Sequence, residues 1–295
     1  MLRRLFTLAT LGLACSGSFA QDTSLSAHLV PGKGWEPAAT GFTFTDGLCT
    51  DAAGNLYFTD VKAGEGIYKI DAETGAVSLA VKDLPGISGL QIGPDGRFYA
   101  CHNREKRIIA FPISGGDVQV LASDVKCNDL VVTQRGFIYF TETPTKSIHV
   151  ITPEGKHRVA AEGQVNRPNG ITVSPDEQTL VVSDHGGLHV WAFQIQPNGD
   201  LTAGAPFMTM RPAIGKEEAL GDGATTEAEG RFFVTTEIGI QMFDPAGRLS
   251  GVIDKPTPES KVVSVEFAGK DHHTLFVAAG DSIYRRPMQT AGYFR

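Results

Sequence analysis

One sequence pattern recurs six times along this chain, and this repeat limits the folds that the chain can adopt. Each copy begins with a small polar residue, continues as a short apolar strand, turns at a position eight residues further on, and ends in an aromatic and β-branched strand. Repeats spaced by roughly forty residues are typical of propeller blades. The copies begin at Asp46, Ser88, Asn128, Asn169, Asp222 and Ser264.

A second hairpin follows in each copy, as in the stretch from Gly66 to Asp71, which turns at Gly75. Four strands per copy and six copies predict an all-β, six-bladed β-propeller, with residues 21–295 as a single domain. We expect the segment His28–Val30 to supply the outer strand of the last blade, so that the N-terminal part of the chain closes the ring. The long interval Gln196–Leu220 is rich in Gly, Pro and Ala and predicts a loop insertion.

Residues 1–20 have the pattern of a secretory signal peptide. Two arginines precede an apolar run from Leu5 to Ala14, and small residues precede a cleavage point after Ala20. The run is too short to cross a bilayer. We therefore expect a periplasmic or secreted protein, and a lipoprotein anchored through Cys15 is the alternative.

The charge pattern bears on the kind of partner. The chain has 33 acidic and 26 basic residues, a formal net charge of −7, and no block of lysine or arginine. Nucleic acid and anionic membranes attract basic patches, so neither is expected as a partner. A small-molecule substrate is expected instead, and the oligomeric state is left open.

Three cysteines follow the leader, namely Cys49, Cys101 and Cys127. An odd number allows at most one internal disulfide. All three lie in or beside predicted strands, where a buried thiol behaves as a small apolar side chain, and we favour that interpretation. Their spacing does not match a structural zinc site.

The six residues that open the copies predict a binding site. Blades are related by rotation, so equivalent residues lie at one height around the axis, and all six carry a side-chain oxygen. Calcium takes about six to eight oxygen ligands, and Asp46 and Asp222 supply two carboxylates. The ring has no His or Cys, which zinc and copper prefer. We expect a divalent cation, with calcium favoured over zinc, manganese or magnesium; the alternative is that these residues only form turns.

Three stretches of the chain carry a family resemblance. They are Asn128-Asp129-Leu130-Val131-Val132, Arg167-Pro168-Asn169-Gly170-Ile171 with Ser174-Pro175-Asp176, and Gly221-Asp222-Gly223-Ala224. They resemble the gluconolactonase, regucalcin (SMP-30) and luciferin-regenerating-enzyme family. The resemblance implies a six-bladed propeller that holds one divalent cation, commonly calcium, on its axis and hydrolyses sugar lactones.

This resemblance assigns roles to individual residues. It implies that Asp46, Asn169 and Asp222 are metal ligands, that Asp222 is also the general base, and that Asn128 contacts metal or substrate. Lys126 stands where some members carry a substrate-binding arginine, although an ammonium does not reproduce a bidentate guanidinium. Asp46 replaces the usual glutamate and is one methylene shorter, so the metal must move, a water must fill the gap, or this ligand is lost.

Further differences from the family concern the substrate pocket. The segment Thr141–Pro144 replaces a lid sequence that many bacterial members carry, which predicts a different or more open pocket. Ser88, His102 and Glu142 are additional candidates for contacts with substrate, and for His102 a structural role is the alternative. Asp184 and His185 are interpreted as turn residues.

The predicted activity is hydrolysis of a small lactone. The cation polarises the carbonyl, Asp222 accepts a proton from water, and Asn128 orients the substrate oxygen. Two alternatives remain open, because a fold does not determine a function. One is a propeller that binds a ligand or protein without catalysis, and the other is a lyase or isomerase on the same scaffold.

Overall fold

The computed structural model describes residues 24–294, and these residues form six antiparallel four-stranded sheets. The predicted leader lies outside the described residues. In five of the sheets the strands follow one another in chain order from the axis outward, which is the order of a β-propeller blade, and the sixth takes its outer strand from the N-terminal region. Within residues 24–294 the only helical elements are three 3₁₀ turns, at Leu25–Ala27, Asn103–Glu105 and Lys270–His272. The prediction of a six-bladed β-propeller is confirmed.

The first three blades each consist of consecutive strands. Blade 1 contains β2 (Thr45–Thr50), β3 (Leu56–Asp60), β4 (Gly66–Ile70) and β5 (Val77–Lys82). Blade 2 contains β6 (Gly89–Ile92), β7 (Arg97–His102), β8 (Arg107–Pro112) and β9 (Gln119–Ser123). Blade 3 contains β10 (Leu130–Val132), β11 (Ile138–Glu142), β12 (Ser147–Ile151) and β13 (His157–Glu162).

Blades 4 and 5 continue the pattern, and blade 6 combines both ends of the described chain. Blade 4 contains β14 (Pro168–Val173), β15 (Thr179–Asp184), β16 (His189–Ile195) and β17 (Leu201–Thr209). Blade 5 contains β18 (Ala224–Thr226), β19 (Phe232–Thr236), β20 (Gly239–Phe243) and β21 (Leu249–Ile253). Blade 6 contains β22 (Val262–Ala268), β23 (Thr274–Ala279), β24 (Ser282–Pro287) and the outer strand β1 (Glu36–Ala39).

The ring closes through the N-terminal region, as expected, but through a different segment. Strand β1 pairs with β24, with Glu36 opposite Arg285. The predicted closing segment His28–Val30 contributes only an isolated bridge between Leu29 and Met288. The prediction of that segment was therefore wrong. Its apolar pattern stops at a turn after Val30, and a strand needs several residues in register to form a ladder.

The core lies between the blades. Strands β3, β11 and β19 are buried along their whole length, because a neighbouring blade covers each face. The outer strands are more exposed, and Val77 in β5 is 43% accessible. One apolar cluster joins blades 2 and 3 and includes Cys101, Leu130 and Phe140. Packing between blades therefore fixes where the inner ends of the strands lie.

Glycines let the inner strands approach one another around the axis. A Cβ atom added to Gly170 would lie 2.1 Å from the backbone oxygen of Asp222 in the next blade. One added to Gly223 would lie 2.6 Å from the backbone oxygen of Val263. No side chain fits at such distances, so these two positions require glycine for close backbone contact rather than for a turn.

The interval Gln196–Leu220 is not simply a loop insertion. It contains β17, the outer strand of blade 4, which pairs with β16 with several register shifts. Gly204 and Pro206 lie in this strand, which is why its composition indicated a loop. Proline is tolerated in an edge strand, where its missing N–H has no partner to lose.

Within residues 24–294, no helix is long and apolar enough to cross a membrane.

Candidate functional site around the propeller axis

The six residues that open the repeats lie at the inner ends of the blades. Asp46, Asn169 and Ser264 lie within the innermost strands β2, β14 and β22. The others come one or two residues before β6, β10 and β18. Small polar residues suit these positions because the chain must turn there before it enters a buried strand. The rotational arrangement therefore places all six near one end of the axis.

Hydroxyl groups form hydrogen bonds that connect several of these residues to a neighbouring blade. Ser88 donates a hydrogen bond of 2.7 Å to the backbone oxygen of Asn128. Thr141 donates one of 2.7 Å to the backbone oxygen of Asn169. Ser264 accepts a hydrogen bond of 3.4 Å from the backbone N–H of Leu48 in blade 1. The hydroxyls of Ser88 and Ser264 are therefore used between blades, and a contact of Ser88 with substrate remains a prediction.

Three aspartates concentrate negative charge at the axis. Burial and the carboxylate of Asp222 raise the pKa of Asp46 to about 8. Burial raises the pKa of Asp222 to about 7; the ammonium of Lys261 opposes this rise and the carboxylate of Asp129 adds to it. Among the ion pairs of residues 24–294, none joins these aspartates to a lysine or arginine. These carboxyls resist ionisation without a cation, and a bound cation would favour their charged forms.

Asp129 is a member of this group that sequence reasoning missed. Burial is the main cause that raises its pKa, to about 7, and Asp46 contributes. Its carboxylate accepts hydrogen bonds from the backbone N–H of Leu130 at 2.8 Å and of Ile171 at 3.4 Å. A signal was present in the sequence, because the equivalent position of the repeat is glycine in most other copies. These glycines are Gly47, Gly89, Gly170 and Gly223.

His185 also lies at the site, although the sequence indicated only a turn residue. Its Nδ1 atom lies 3.2 Å from the backbone oxygen of Gly221 and 3.4 Å from Nδ2 of Asn169. The same atom lies 3.8 Å from Oδ2 of Asp222. Burial lowers the pKa of His185, and the charges of Arg167 and Lys261 lower it further. A neutral imidazole therefore borders the two predicted metal ligands Asn169 and Asp222.

Asn128 has the environment of a group that can contact a ligand. Its backbone N–H donates to the backbone oxygen of Thr141 at 2.8 Å. No other residue in the range 24–294 makes a hydrogen bond with its side-chain amide. The fold therefore holds the backbone of Asn128 and leaves the amide available to water or substrate.

His102 and Glu142 lie at the ends of β7 and β11 and bond to their own blades. His102 contacts the backbone oxygen of Pro85 through Nε2 at 3.0 Å. Glu142 accepts a hydrogen bond of 2.6 Å from the backbone N–H of Lys126, and its other oxygen lies 3.2 Å from Nε2 of His149. Both side chains are buried, whereas Lys126 is exposed. These contacts hold the loops before the inner strands, so substrate contacts by these three residues remain predictions.

A cavity of about 230 Å³ opens beside Asp222. Leu220 and Val262 contribute apolar surface, and Lys255 and Lys261 contribute cationic groups. A small cyclic molecule could reach Asp222 through this opening, which joins the loops of blades 5 and 6.

The donors at the axis suit a hard cation. Asp46, Asp222 and Asn169 offer carboxylate and amide oxygens, which calcium and magnesium prefer. Within residues 24–294, no three histidine, cysteine, aspartate or glutamate side chains are grouped closely enough to hold one metal ion. These residues can therefore hold a cation only if amide and water oxygens, together with the carboxylates, complete its coordination shell. The predicted ligands remain predictions.

Comparisons with known proteins agree with this architecture. Gluconolactonase of Zymomonas mobilis is 26% identical over 232 residues, which cover 70% of this chain and 65% of that protein. A solved structure of XC5397 from Xanthomonas campestris, described as a gluconolactonase, superposes with a TM-score of 0.77 at 23% identity, covering 90% of this chain and 92% of that one. A calcium-binding protein, regucalcin, from Agrobacterium tumefaciens superposes with a TM-score of 0.72 at 16% identity, covering 88% and 94%.

The two superpositions show the fold alone. The match spans 65% of the Zymomonas relative, which is less than two thirds of its length. The model of one family, described as SMP-30/gluconolactonase/LRE-like region, matches residues 44–281. That range includes all six positions of the ring. The chain belongs to the SMP-30/gluconolactonase/LRE-like family.

Proposed function

We propose that this protein hydrolyses a small lactone, in particular the lactone of a sugar acid, with the help of a divalent cation. The observation that carries the proposal is that Asp46, Asp129 and Asp222, at the inner ends of the blades, raise one another's pKa values, while no lysine or arginine of residues 24–294 forms an ion pair with them. Family membership and the gluconolactonase among the relatives support the reaction.

The proposed cation is calcium, with zinc, manganese and magnesium as alternatives. Asp46, Asn169 and Asp222 would hold it, since carboxylate and amide oxygens are hard donors. A bound cation supplies a Lewis acid for the ester carbonyl. Asp46 is one methylene shorter than the glutamate usual in the family, so its carboxylate would reach less far toward the cation.

The chain's own residues supply the proton transfers. Asp222 accepts a proton from the attacking water and returns it to the ring oxygen as the acyl–oxygen bond breaks. A cation held beside Asp222 would lower the pKa of this carboxyl, and it would also lower the pKa of the attacking water, so that Asp222 can still accept the proton. Asn128 donates from its free amide to the carbonyl oxygen of the substrate. The neighbouring cavity accommodates the remainder of the ring.

The experiment is a lactone hydrolysis assay on purified protein. Release of acid from glucono-1,5-lactone is followed with a pH indicator, in calcium and after treatment with a chelator. We expect hydrolysis above the spontaneous rate with calcium, and loss of that rate with chelator or with Asp222→Asn. Asp176→Asn is the matched control, because Asp176 is an exposed turn carboxylate. Calcium-saturated protein that leaves every aldonolactone at its spontaneous rate refutes the proposal.

Product analysis separates hydrolysis from the alternatives. Hydrolysis adds the mass of one water to a lactone, whereas a lyase or isomerase converts a cyclic sugar acid without adding water. A binding propeller without catalysis retains affinity for its ligand in Asp222→Asn and turns over none of these compounds.

We also propose that the protein is exported and that its leader is removed after Ala20. The support is the sequence pattern of residues 1–20, with Arg3 and Arg4 before an apolar run. The intact mass of protein from the periplasm or medium tests this, because cleavage predicts Gln21 as the first residue. A lipid adduct on Cys15 identifies a lipoprotein instead.

A further inference from the structure

Three consecutive blades carry a polar side chain at the same place, one residue after the second strand ends. Each of these side chains contacts a backbone oxygen in the next blade, and that oxygen belongs to the residue just before the one that opens the repeat. The contacts are 2.6 Å from Asn103 Nδ2 to Cys127 O, 2.7 Å from Thr143 Oγ1 to Pro168 O, and 3.2 Å from His185 Nδ1 to Gly221 O.

This equivalence identifies the nitrogen of His185 that carries the hydrogen. A backbone carbonyl only accepts hydrogen bonds, and the groups of Asn103 and Thr143 in the same place are donors. Two contacts of Nδ1 compete, because Gly221 O only accepts whereas Nδ2 of Asn169, at 3.4 Å, only donates. The contact with Gly221 is the shorter, at 3.2 Å, and it repeats the contacts of Asn103 and Thr143, so the hydrogen is placed on Nδ1. In the neutral ring, which has one N–H, Nε2 is then the unprotonated nitrogen.

His185 differs from the other two in what else it touches. Its Nδ1 atom lies 3.4 Å from Nδ2 of Asn169 and 3.8 Å from Oδ2 of Asp222. The side chain is only 12% exposed, so the ring is held between these groups. Loss of the imidazole would free the Gly221 carbonyl and open space beside both predicted metal ligands.

We infer that His185, as the Nδ1–H tautomer, is a positioning residue that holds the Gly221–Asp222 peptide and thereby orients Asp222 for cation and substrate. It acts through these neighbours rather than on the reacting atoms. The inference rests on the proposed function, because it concerns the same site.

Three substitutions test the hydrogen bond. His185→Asn puts an amide nitrogen close to the place of Nδ1 and copies the residue of blade 2. His185→Gln puts its nitrogen close to the place of Nε2, and His185→Ala removes both. We expect His185→Ala and His185→Gln to weaken calcium binding by about 10- to 100-fold, as measured by titration calorimetry, and to lower kcat. His185→Asn should retain most of the calcium affinity.

A control and an independent measurement complete the test. His189→Ala changes a histidine in β16 of the same blade whose Nδ1 contacts Thr209, and it should leave calcium affinity unchanged. Nitrogen-15 shifts of the His185 ring report the tautomer directly, without catalysis or metal. An Nε2–H tautomer overturns the inference, as does rescue by His185→Gln instead of His185→Asn. Absence of lactonase activity in the wild-type protein refutes only the proposed function, because the tautomer measurement still decides the inference.

Discussion

The hydroxyl of Ser183 in blade 4 donates a hydrogen bond of 2.7 Å to the backbone oxygen of Asp222 in blade 5. The equivalent hydroxyl of Thr141 donates to the backbone oxygen of Asn169 at 2.7 Å, and that of Thr59 donates to Ile87, one residue before Ser88, at 2.9 Å. The second strand of a blade thus holds the residue that opens the next repeat, or the residue just before it. The position of Asp222 depends on a hydrogen bond that crosses a blade interface.

Removing this hydroxyl should impair both stability and function. We expect Ser183→Ala to lower the free energy of unfolding by about 1 to 3 kcal/mol, because a buried carbonyl loses its partner. It should also lower kcat, since the backbone of Asp222 moves. Ser183→Thr is the matched control, because threonine serves in blades 1 and 3. Denaturant unfolding and lactone hydrolysis provide the measurements, and equal behaviour of the two variants contradicts the expectation.

The close approach of blades at Gly170 predicts a strong effect of one methyl group. A Cβ atom there would lie 2.1 Å from the backbone oxygen of Asp222, so the two inner strands must separate. We expect Gly170→Ala to cost about 1 to 3 kcal/mol of unfolding free energy and to weaken calcium binding. Gly34→Ala is the control, since a Cβ atom at Gly34 meets nothing within 4 Å. Similar melting temperatures for the two variants would count against this packing argument.

Asp46 should lower the stability of the metal-free protein. Its carboxylate is partly buried and lies in the field of Asp222, which helps to raise its pKa to about 8. We expect Asp46→Asn to raise the melting temperature of chelator-treated protein at pH 8, because one like charge is removed. The same change should weaken calcium binding by about tenfold or more. A variant that loses stability under chelator would show that Asp46 has a structural role instead.

The raised pKa values of three aspartates determine how the stability of the folded protein changes with pH. The folded-state pKa values of Asp46, Asp129 and Asp222 are about 8, 7 and 7, above the ordinary value of 3.8. A carboxyl whose pKa is raised by folding stabilises the folded state fully below its ordinary pKa, and this stabilisation is lost as pH rises through the raised value. We expect the melting temperature of chelator-treated protein to fall between pH 5 and 8, by on the order of 5 °C.

Two controls sharpen the pH experiment. Saturating calcium should remove most of the fall, because a ligand that binds only the folded state stabilises it. Asp129→Asn should reduce the fall without added calcium, since it removes one of the three titrating groups. A chelated protein that becomes more stable from pH 5 to 8 would contradict the assigned direction.

The cysteines should be inert in the native protein. Cys49, Cys101 and Cys127 are free and buried, which confirms the preference for buried thiols over a disulfide. Burial raises the pKa of the thiols of Cys49 and Cys101 well above the ordinary range, so little reactive thiolate forms. We expect no reaction with a thiol reagent until the protein is unfolded, and then reaction of all three. Fast labelling of native protein would show that the blades open locally.

The repeat predicted the fold because blade formation is a local property of the chain. Alternating and apolar strands, turn residues at fixed offsets and a constant period all appear in the sequence, and the six blades follow from them. The closing strand was assigned to the wrong segment because β1 has no hairpin partner nearby. Its pairing with β24 depends on the geometry of the complete ring.

The candidate site was predicted only in part, for a related reason. Asp46, Asn169 and Asp222 were found because they occupy one position of the repeat. Asp129 and His185 occupy positions where the copies differ, so periodicity did not identify them. Their contacts arise between blades, where His185 meets Gly221 and Asp129 meets Ile171. Such contacts depend on the rotation from blade to blade, which a single sequence does not contain.

The pairing of β1 with β24 affects how the molecule can be made. During synthesis β1 leaves the ribosome before all the other strands and β24 leaves after them. β1 therefore has no pairing partner until β24 has been made. Until then blade 6 is incomplete, and the unpaired strand β1 can pair with other chains. A tag inserted within Glu36–Ala39, or a cut there, therefore also affects the C-terminal strands β22 to β24, because it removes the outer strand that completes their blade.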